Sequence, residues 1–237
     1  MDSTLEPYPW AERSRSPNPP NMALQLRIYV PPHPLIKHWL GVLRSAATPT
    51  PVFRSAMTEL GRWLAYEAVR DWLPTVDMTI ETPLTTCPAT FVDPEVPVAI
   101  VPILRAGLAL VEGIQSAVPT GKTYHIGLAR DEETLEPTWY LNKLPETFEP
   151  GTRLIISEPM LATGGTIMTT MAELVKRGID PALVRIISVV TAPQALQKLS
   201  DSFPALTIYA AIIDEGLDDN GFIVPGLGDA GDRTFGT

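Results

Sequence analysis

The chain has one cysteine, Cys87, in 237 residues. A lone cysteine closes no internal disulfide, and this count fits a reducing cytoplasm. No motif surrounds Cys87 that would make it a nucleophile, so it reads as a passive packed thiol. Basic residues are also scarce: 18 Lys and Arg stand against 27 Asp and Glu, a formal net charge of -9. That balance argues against a general electrostatic grip on nucleic acid or on an anionic membrane. It leaves room for an anionic substrate, which local arginines and backbone N–H groups can hold. No apolar run is long enough to span a bilayer. The most apolar region, Val96 to Val111, is interrupted by Pro97, Pro102, Arg105 and Gly107. The N-terminus lacks the basic-then-apolar order of a signal peptide, and no segment repeats.

What is present begins with a proline-rich stretch. Residues 1–22 hold Pro7, Pro9, Pro17, Pro19 and Pro20 with Arg13, Arg15 and several serines. Such a segment buries too little apolar surface to offset its ordering entropy, so a disordered tail is expected over 1–22 and a single domain over 23–237. Met22 offers a second starting point for the chain. Hydrophobic residues make up 45% and charged residues 19%, ordinary values for a globular domain with a real core. Met57, Leu60, Leu64, Ala68 and Trp72 recur at spacings of three and four, which predicts a helix ended by Pro74. Residues 75–95, rich in Thr and Pro, predict irregular strands and loops.

The second half alternates. Strands are predicted at Val98–Ile103, Thr123–Leu128, Leu154–Ser157, Arg185–Thr191 and Thr207–Ile213. Helices fall between them at Leu108–Ala117, Thr166–Arg177 (stopped by Gly178) and Gln194–Ser202. This order predicts an α/β fold, a parallel sheet flanked by helices. Ligands bind beyond the carboxyl ends of such strands, so the loops after Ile103, Leu128 and Ser157 are the candidates for function.

The loop after Ser157 is the most informative. It reads Glu158-Pro159-Met160-Leu161-Ala162-Thr163-Gly164-Gly165-Thr166, between an apolar strand and a helix. A helix N-terminus carries unpaired N–H groups and partial positive charge, so it holds phosphate. Gly164 and Gly165 let the backbone approach oxygens closely. Thr163 and Thr166 add hydroxyl donors, and Glu158 is placed to bind ribose hydroxyls. No lysine follows the glycines, so this is not a Walker loop; the glycines are adjacent, so it is not a dinucleotide fingerprint. The plain alternative is a Gly-rich turn joining strand to helix. The whole run resembles the phosphoribosyl-diphosphate loop of type I phosphoribosyltransferases.

Three more segments narrow the resemblance: Val101-Pro102-Ile103-Leu104-Arg105-Ala106-Gly107, Arg130-Asp131-Glu132-Glu133-Thr134-Leu135-Glu136-Pro137, and Ile223-Val224-Pro225-Gly226-Leu227-Gly228-Asp229-Ala230-Gly231-Asp232. Together, and in order from about His33 to Thr237, the four resemble the uracil phosphoribosyltransferase family. The resemblance implies a parallel-sheet core with a small hood built largely from the C-terminal segment. It implies conversion of uracil and 5-phospho-α-D-ribose 1-diphosphate (PRPP) to UMP and diphosphate, with Mg2+ carried by the diphosphate. It assigns catalytic positions to Arg105 and Asp229. It assigns PRPP to Arg105, Arg130, Asp229 and the run Glu158 to Thr166, and uracil to Ile223, Gly228, Asp229 and Ala230.

Guanidinium pairs with phosphate through two parallel bonds, which suits Arg105 and Arg130 to a departing diphosphate. For Arg130, a solvated charge run with Asp131, Glu132 and Glu133 is the rival reading. The resemblance further implies a homodimer or larger assembly in the cytoplasm, and GTP activates some members. Two departures and agreements stand out. The family usually has Asp where this chain has Glu158, while Pro159 replaces a second acid found in other branches. His33, Lys37 and His38 read as structural or subunit-contact residues, and His125 as a packed histidine on a strand. Trp139 and Tyr140 read as part of a protruding hairpin, which the resemblance makes an interface arm, or as an exposed loop. The alternatives in function are a phosphoribosyltransferase for another base, or a regulatory RNA-binding protein that keeps the PRPP site; the acidic balance weighs against the second.

Overall fold

Runs of consecutive apolar residues with no alternation build strands buried on both faces, and four such strands form the centre of this molecule. The computed structural model describes residues 25–130 and 137–237, without the Arg130 side chain; the tail expected over 1–22 lies outside the described residues. The chain opens with β1 (Arg27–Tyr29), α1 (Pro34–Arg44) and α2 (Thr50–Val69), then β2 (Thr75–Glu81) and β3 (Thr86–Val92). Next come β4 (Val98–Leu104), α3 (Leu108–Ala117), β5 (Lys122–Thr123), β6 (Ile126–Arg130) and β7 (Pro137–Asn142). β8 (Arg153–Ser157), β9 (Met160–Leu161) and α4 (Gly165–Lys176) follow, then β10 (Val184–Thr191), α5 (Pro193–Ser202) and β11 (Thr207–Ile213). The chain finishes with β12 (Gly216–Leu217), β13 (Ile223–Val224) and α6 (Ala230–Phe235).

The main sheet runs β1-β11-β10-β8-β4-β6-β7, with β5 added to β4 and β9 to β10. Its pairings are parallel except β6 with β7. The expected α/β architecture is therefore present. One face is covered by α1, α2 and α3 through Ile36, Leu43, Phe53, Leu60, Leu110 and Ile114, all fully buried. The other is covered by α4 and α5 through Ile167, Met171, Leu174, Leu196 and Leu199. Alternate residues of β8 serve the two sides: Ile155 joins the first cluster, Leu154 and Ile156 the second.

Four sequence expectations are corrected. Residues 75–95 are not irregular; β2 and β3 pair antiparallel from Thr75↔Val92 to Glu81↔Thr86 as a separate two-stranded sheet. Its side chains Met78, Leu84 and Phe91 are exposed, so the apolar burial that signals a strand in sequence is missing. The strand expected at 123–128 breaks at Tyr124 and His125, and His125 is exposed rather than packed. Trp139 and Tyr140 lie, in keeping with a hairpin, in β7, which pairs antiparallel with β6 at an edge of the main sheet. The second helix stops at Val69, before Pro74, with Trp72 buried in the turn beyond it. His33 is structural as expected: its Nδ1 accepts from Leu35 N–H at 3.2 Å to cap α1, and its ring stacks on Trp63.

The α2–α3 crossing is backbone on backbone. A Cβ on Gly113 would stand 2.0 Å from the Thr58 carbonyl oxygen, and one on Gly61 2.4 Å from that of Leu110. No rotamer relieves a clash with backbone, so the helices would have to separate. Gly113→Ala is expected to cost about 1–3 kcal/mol and to lower Tm by several degrees in thermal unfolding. An unchanged Tm would mean that the two helices adjust freely.

Candidate active site

β8 is buried from Leu154 to Ser157 and delivers the chain to the sheet's carboxyl edge. There the Glu158 N–H donates to the Ile187 carbonyl at 3.1 Å. The Ser157 hydroxyl donates to the Gly107 carbonyl at 2.7 Å, tying this edge to the loop after β4. β9 then pairs with β10, and Gly164 takes φ +85°, a left-handed turn that frees the chain to start α4. No side chain caps α4, and no acid occupies its first turn. Its leading N–H groups are thus left for a ligand. Glu158, Met160 to Thr166 and Ile167 line a cavity of about 80 Å³. The sequence-predicted phosphate loop is therefore a concave strand-to-helix turn, with Pro159 buried beneath it.

Glu158 keeps some solvent contact but sits at the base of this turn, where its carboxylate oxygen meets only the Met160 N–H at 3.5 Å. No cation pairs with it among the described residues. Burial pushes its carboxyl up to about 8 from 4.5, only slightly opposed by that backbone hydrogen bond.

The other expected site residues lie after β4, at the end of β6 and in the C-terminal segment. Arg105 follows the last residue of β4, across a cis Leu104–Arg105 peptide. Its Nη2 donates to Asp232 at 2.8 Å and its Nη1 to the Thr237 hydroxyl at 3.3 Å. Arg130 ends β6, with its backbone opposite Pro137; its side chain lies outside the described residues. Pro137 approaches Gly165, its Cγ 3.4 Å from where a Cβ would stand. Ile223 is buried in β13, Gly228 and Asp229 are exposed, and Ala230 is buried at the start of α6. Asp229 caps α6 by accepting from the Asp232 N–H at 2.8 Å. The β12–β13 turn reaches the phosphate loop: the position a Cβ would take on Gly221 lies 3.6 Å from Thr163 Cγ2.

The side chains that hold the hood were not singled out from sequence. Asp214, directly after β11, is nearly fully buried; it pairs with Arg44 and accepts from the Gly226 N–H at 2.9 Å. An acid at a strand's carboxyl end was the available signal for it. Arg233 donates to the carbonyls of Leu43, Ser45 and Leu227 and lies over the Phe53 ring, so α6 is fastened to α1 and α2. Tyr140 extends its hydroxyl to the Leu104 carbonyl at 3.4 Å and covers Gly127.

Comparisons with known proteins agree with this geometry. A family model described as uracil phosphoribosyltransferase matches residues 30–237. A uracil phosphoribosyltransferase of Nostoc sp. is 66% identical, covering 91% of this chain and 100% of its own. One of Nicotiana tabacum is 57% identical, over 90% and 95%. A solved structure from Aquifex aeolicus superposes with TM-score 0.80 at 36% identity, covering 88% of this chain and 97% of its own.

The Glu158 shift sets a pH dependence. Between about 4.5 and about 8 the folded protein retains a proton that the unfolded chain has lost, so stability falls as pH rises through that window. Glu158→Gln removes this cost. Its Tm is expected to match wild type near pH 4.5 and to exceed it increasingly up to pH 8.5. A constant difference across the series would place the carboxyl at an ordinary pKa. Sequence motifs, sheet, loop and relatives converge: the chain belongs to the uracil phosphoribosyltransferase family.

Proposed function

We propose that this site transfers the phosphoribosyl group of PRPP to uracil, giving UMP and diphosphate, with the roles below. The observation that carries the assignment is the meeting of three segments distant in sequence. The phosphate loop touches the hood at Thr163 and Gly221, and Arg105 is bound to the hood through Asp232. The 5-phosphate is received by the α4 N-terminus, the Ala162 to Thr166 backbone and the Thr163 and Thr166 hydroxyls. Glu158 binds the ribose hydroxyls, and Arg105 and Arg130 hold the diphosphate. Uracil lies against Ile223, Gly228, Asp229 and Ala230, whose backbone groups can match its two carbonyls and N3–H.

As N1 of uracil bonds to ribose C1, the bond from C1 to the diphosphate oxygen breaks and its electron pair leaves with diphosphate. N1 gives up its proton to solvent water. Positive charge grows on the sugar and negative charge on the leaving group, so prearranged guanidinium groups lower the barrier, and fixed alignment contributes the rest. Magnesium carried by PRPP would supply charge neutralisation on the diphosphate held by Arg105 and Arg130. Oxygen ligands from PRPP and water suit it; among the described residues no three His, Cys, Asp or Glu side chains converge to hold an ion.

The same reading includes a homodimer or larger assembly, supported by the exposed apolar side chains on β2–β3. It includes GTP as an activator and a cytoplasmic setting, in keeping with the unpaired Cys87. Among the described residues no helix is long and apolar enough to cross a membrane.

Arg105→Ala is expected to lower turnover about a hundredfold in a folded protein. Asp229→Ala should also impair turnover with uracil. Steady-state kinetics near wild type would remove either residue from its role. In a screen of uracil, orotate, adenine and guanine, uracil alone should react; transfer to another base with uracil inert would overturn the assignment. Turnover with and without GTP, and mass from light scattering, check the activator and the assembly.

A further inference from the structure

The C-terminal segment contains an acid, Asp232, to which the reading above assigns no contact with substrate. Its carboxylate is the one that Arg105 meets. Asp232 Oδ1 accepts from Arg105 Nη2 at 2.8 Å and from the Thr237 hydroxyl at 3.1 Å. That hydroxyl in turn accepts from Arg105 Nη1 at 3.3 Å. The three groups close a ring, which a hydroxyl permits because it donates and accepts at once. The backbone N–H of Asp232 is meanwhile held by the Asp229 carboxylate at 2.8 Å. A continuous path of hydrogen bonds therefore runs from the residue assigned to uracil, through the first turn of α6, to the residue assigned to diphosphate.

We propose that Asp232 is a positioning residue: it orients the Arg105 guanidinium for diphosphate. The proposal rests on Arg105 gripping the diphosphate. A guanidinium has five N–H donors. Asp232 and Thr237 engage one on each Nη, so three remain for phosphate oxygens. An arginine on a loop otherwise loses much side-chain entropy when it orders on a ligand; here the structure has already ordered it. Both side chains of the pair are about half exposed, 53% and 49%. Such a pair contributes little to global stability, so its effect should appear in substrate binding rather than in folding.

Asp232→Asn keeps the shape and removes the charge. It is expected to raise KM for PRPP about fivefold, with KM for uracil and Tm close to wild type. Asp232→Glu should recover part of the loss. In an Arg105→Ala background, Asp232→Asn should add nothing, because its partner is gone. A PRPP KM unchanged by Asp232→Asn, while Arg105→Ala is impaired, would overturn the positioning role alone. Equal losses in the two backgrounds would also overturn it. Wild-type kinetics for Arg105→Ala would instead overturn the assignment of Arg105 and the proposal with it. A mere structural role for Asp232 would show as a lower Tm and a raised uracil KM, and would refute the proposal.

Discussion

The constraint on which everything else depends is that the central strands are buried on both faces. β10 has no exposed residue along its length, and in β4 only Leu104, at the end, is not fully buried. Such strands can carry no polar function along their faces, because a buried polar group without a partner is costly. Polar chemistry is therefore confined to the carboxyl ends, where β4 releases Arg105, β8 releases Glu158 and β11 releases Asp214. Parallel pairing brings these three exits to one edge, and that edge is the site.

An edge alone is open to water, and the hood closes it with short elements, from which Ile223, Leu227 and Ala230 join the hydrophobic cluster of the α1–α3 side. β12 and β13 are two residues each, and α6 has six. Elements this short do not hold themselves. Their position is imposed by Asp214, which joins Arg44 to the Gly226 backbone, and by Arg233, which binds three carbonyls of neighbouring segments. Removing one partner of the buried Arg44–Asp214 pair would leave an uncompensated charge, the costly way to break such a pair. The hood is held at its base by this apolar packing and by a few directional polar bonds, while its tip rests on Thr163.

This division explains what the sequence made legible. β4, β8, β10 and β11 could be read because unbroken apolar runs at regular intervals have few other meanings. The phosphate loop could be read because its glycines, threonines and acid are contiguous, and the family followed from four ordered segments. The β2–β3 hairpin could not, since its residues are exposed and Pro88 interrupts one strand opposite Thr79. His125 was misread because a short break between β5 and β6 turns it outward. Arg44 and Asp214 lie 170 positions apart, and Arg105 and Asp232 lie 127 apart. No local pattern encodes pairs of that kind; they exist only once the sheet has brought strand ends and hood together.

Glu158 shows how the same confinement shapes the empty site. An acid at the end of a buried strand is desolvated by the strand itself, and no cation among the described residues offsets that here. The carboxyl is accordingly biased towards its neutral form. Across the site Arg105 has its charge matched by Asp232. On the proposed roles, Glu158 is a neutral acid and Arg105 a paired base before PRPP binds. PRPP changes the first arrangement and adds to the second. Ribose hydroxyls offer hydrogen-bond donors that favour the ionised carboxylate, and phosphate oxygens occupy the donors that Asp232 leaves free.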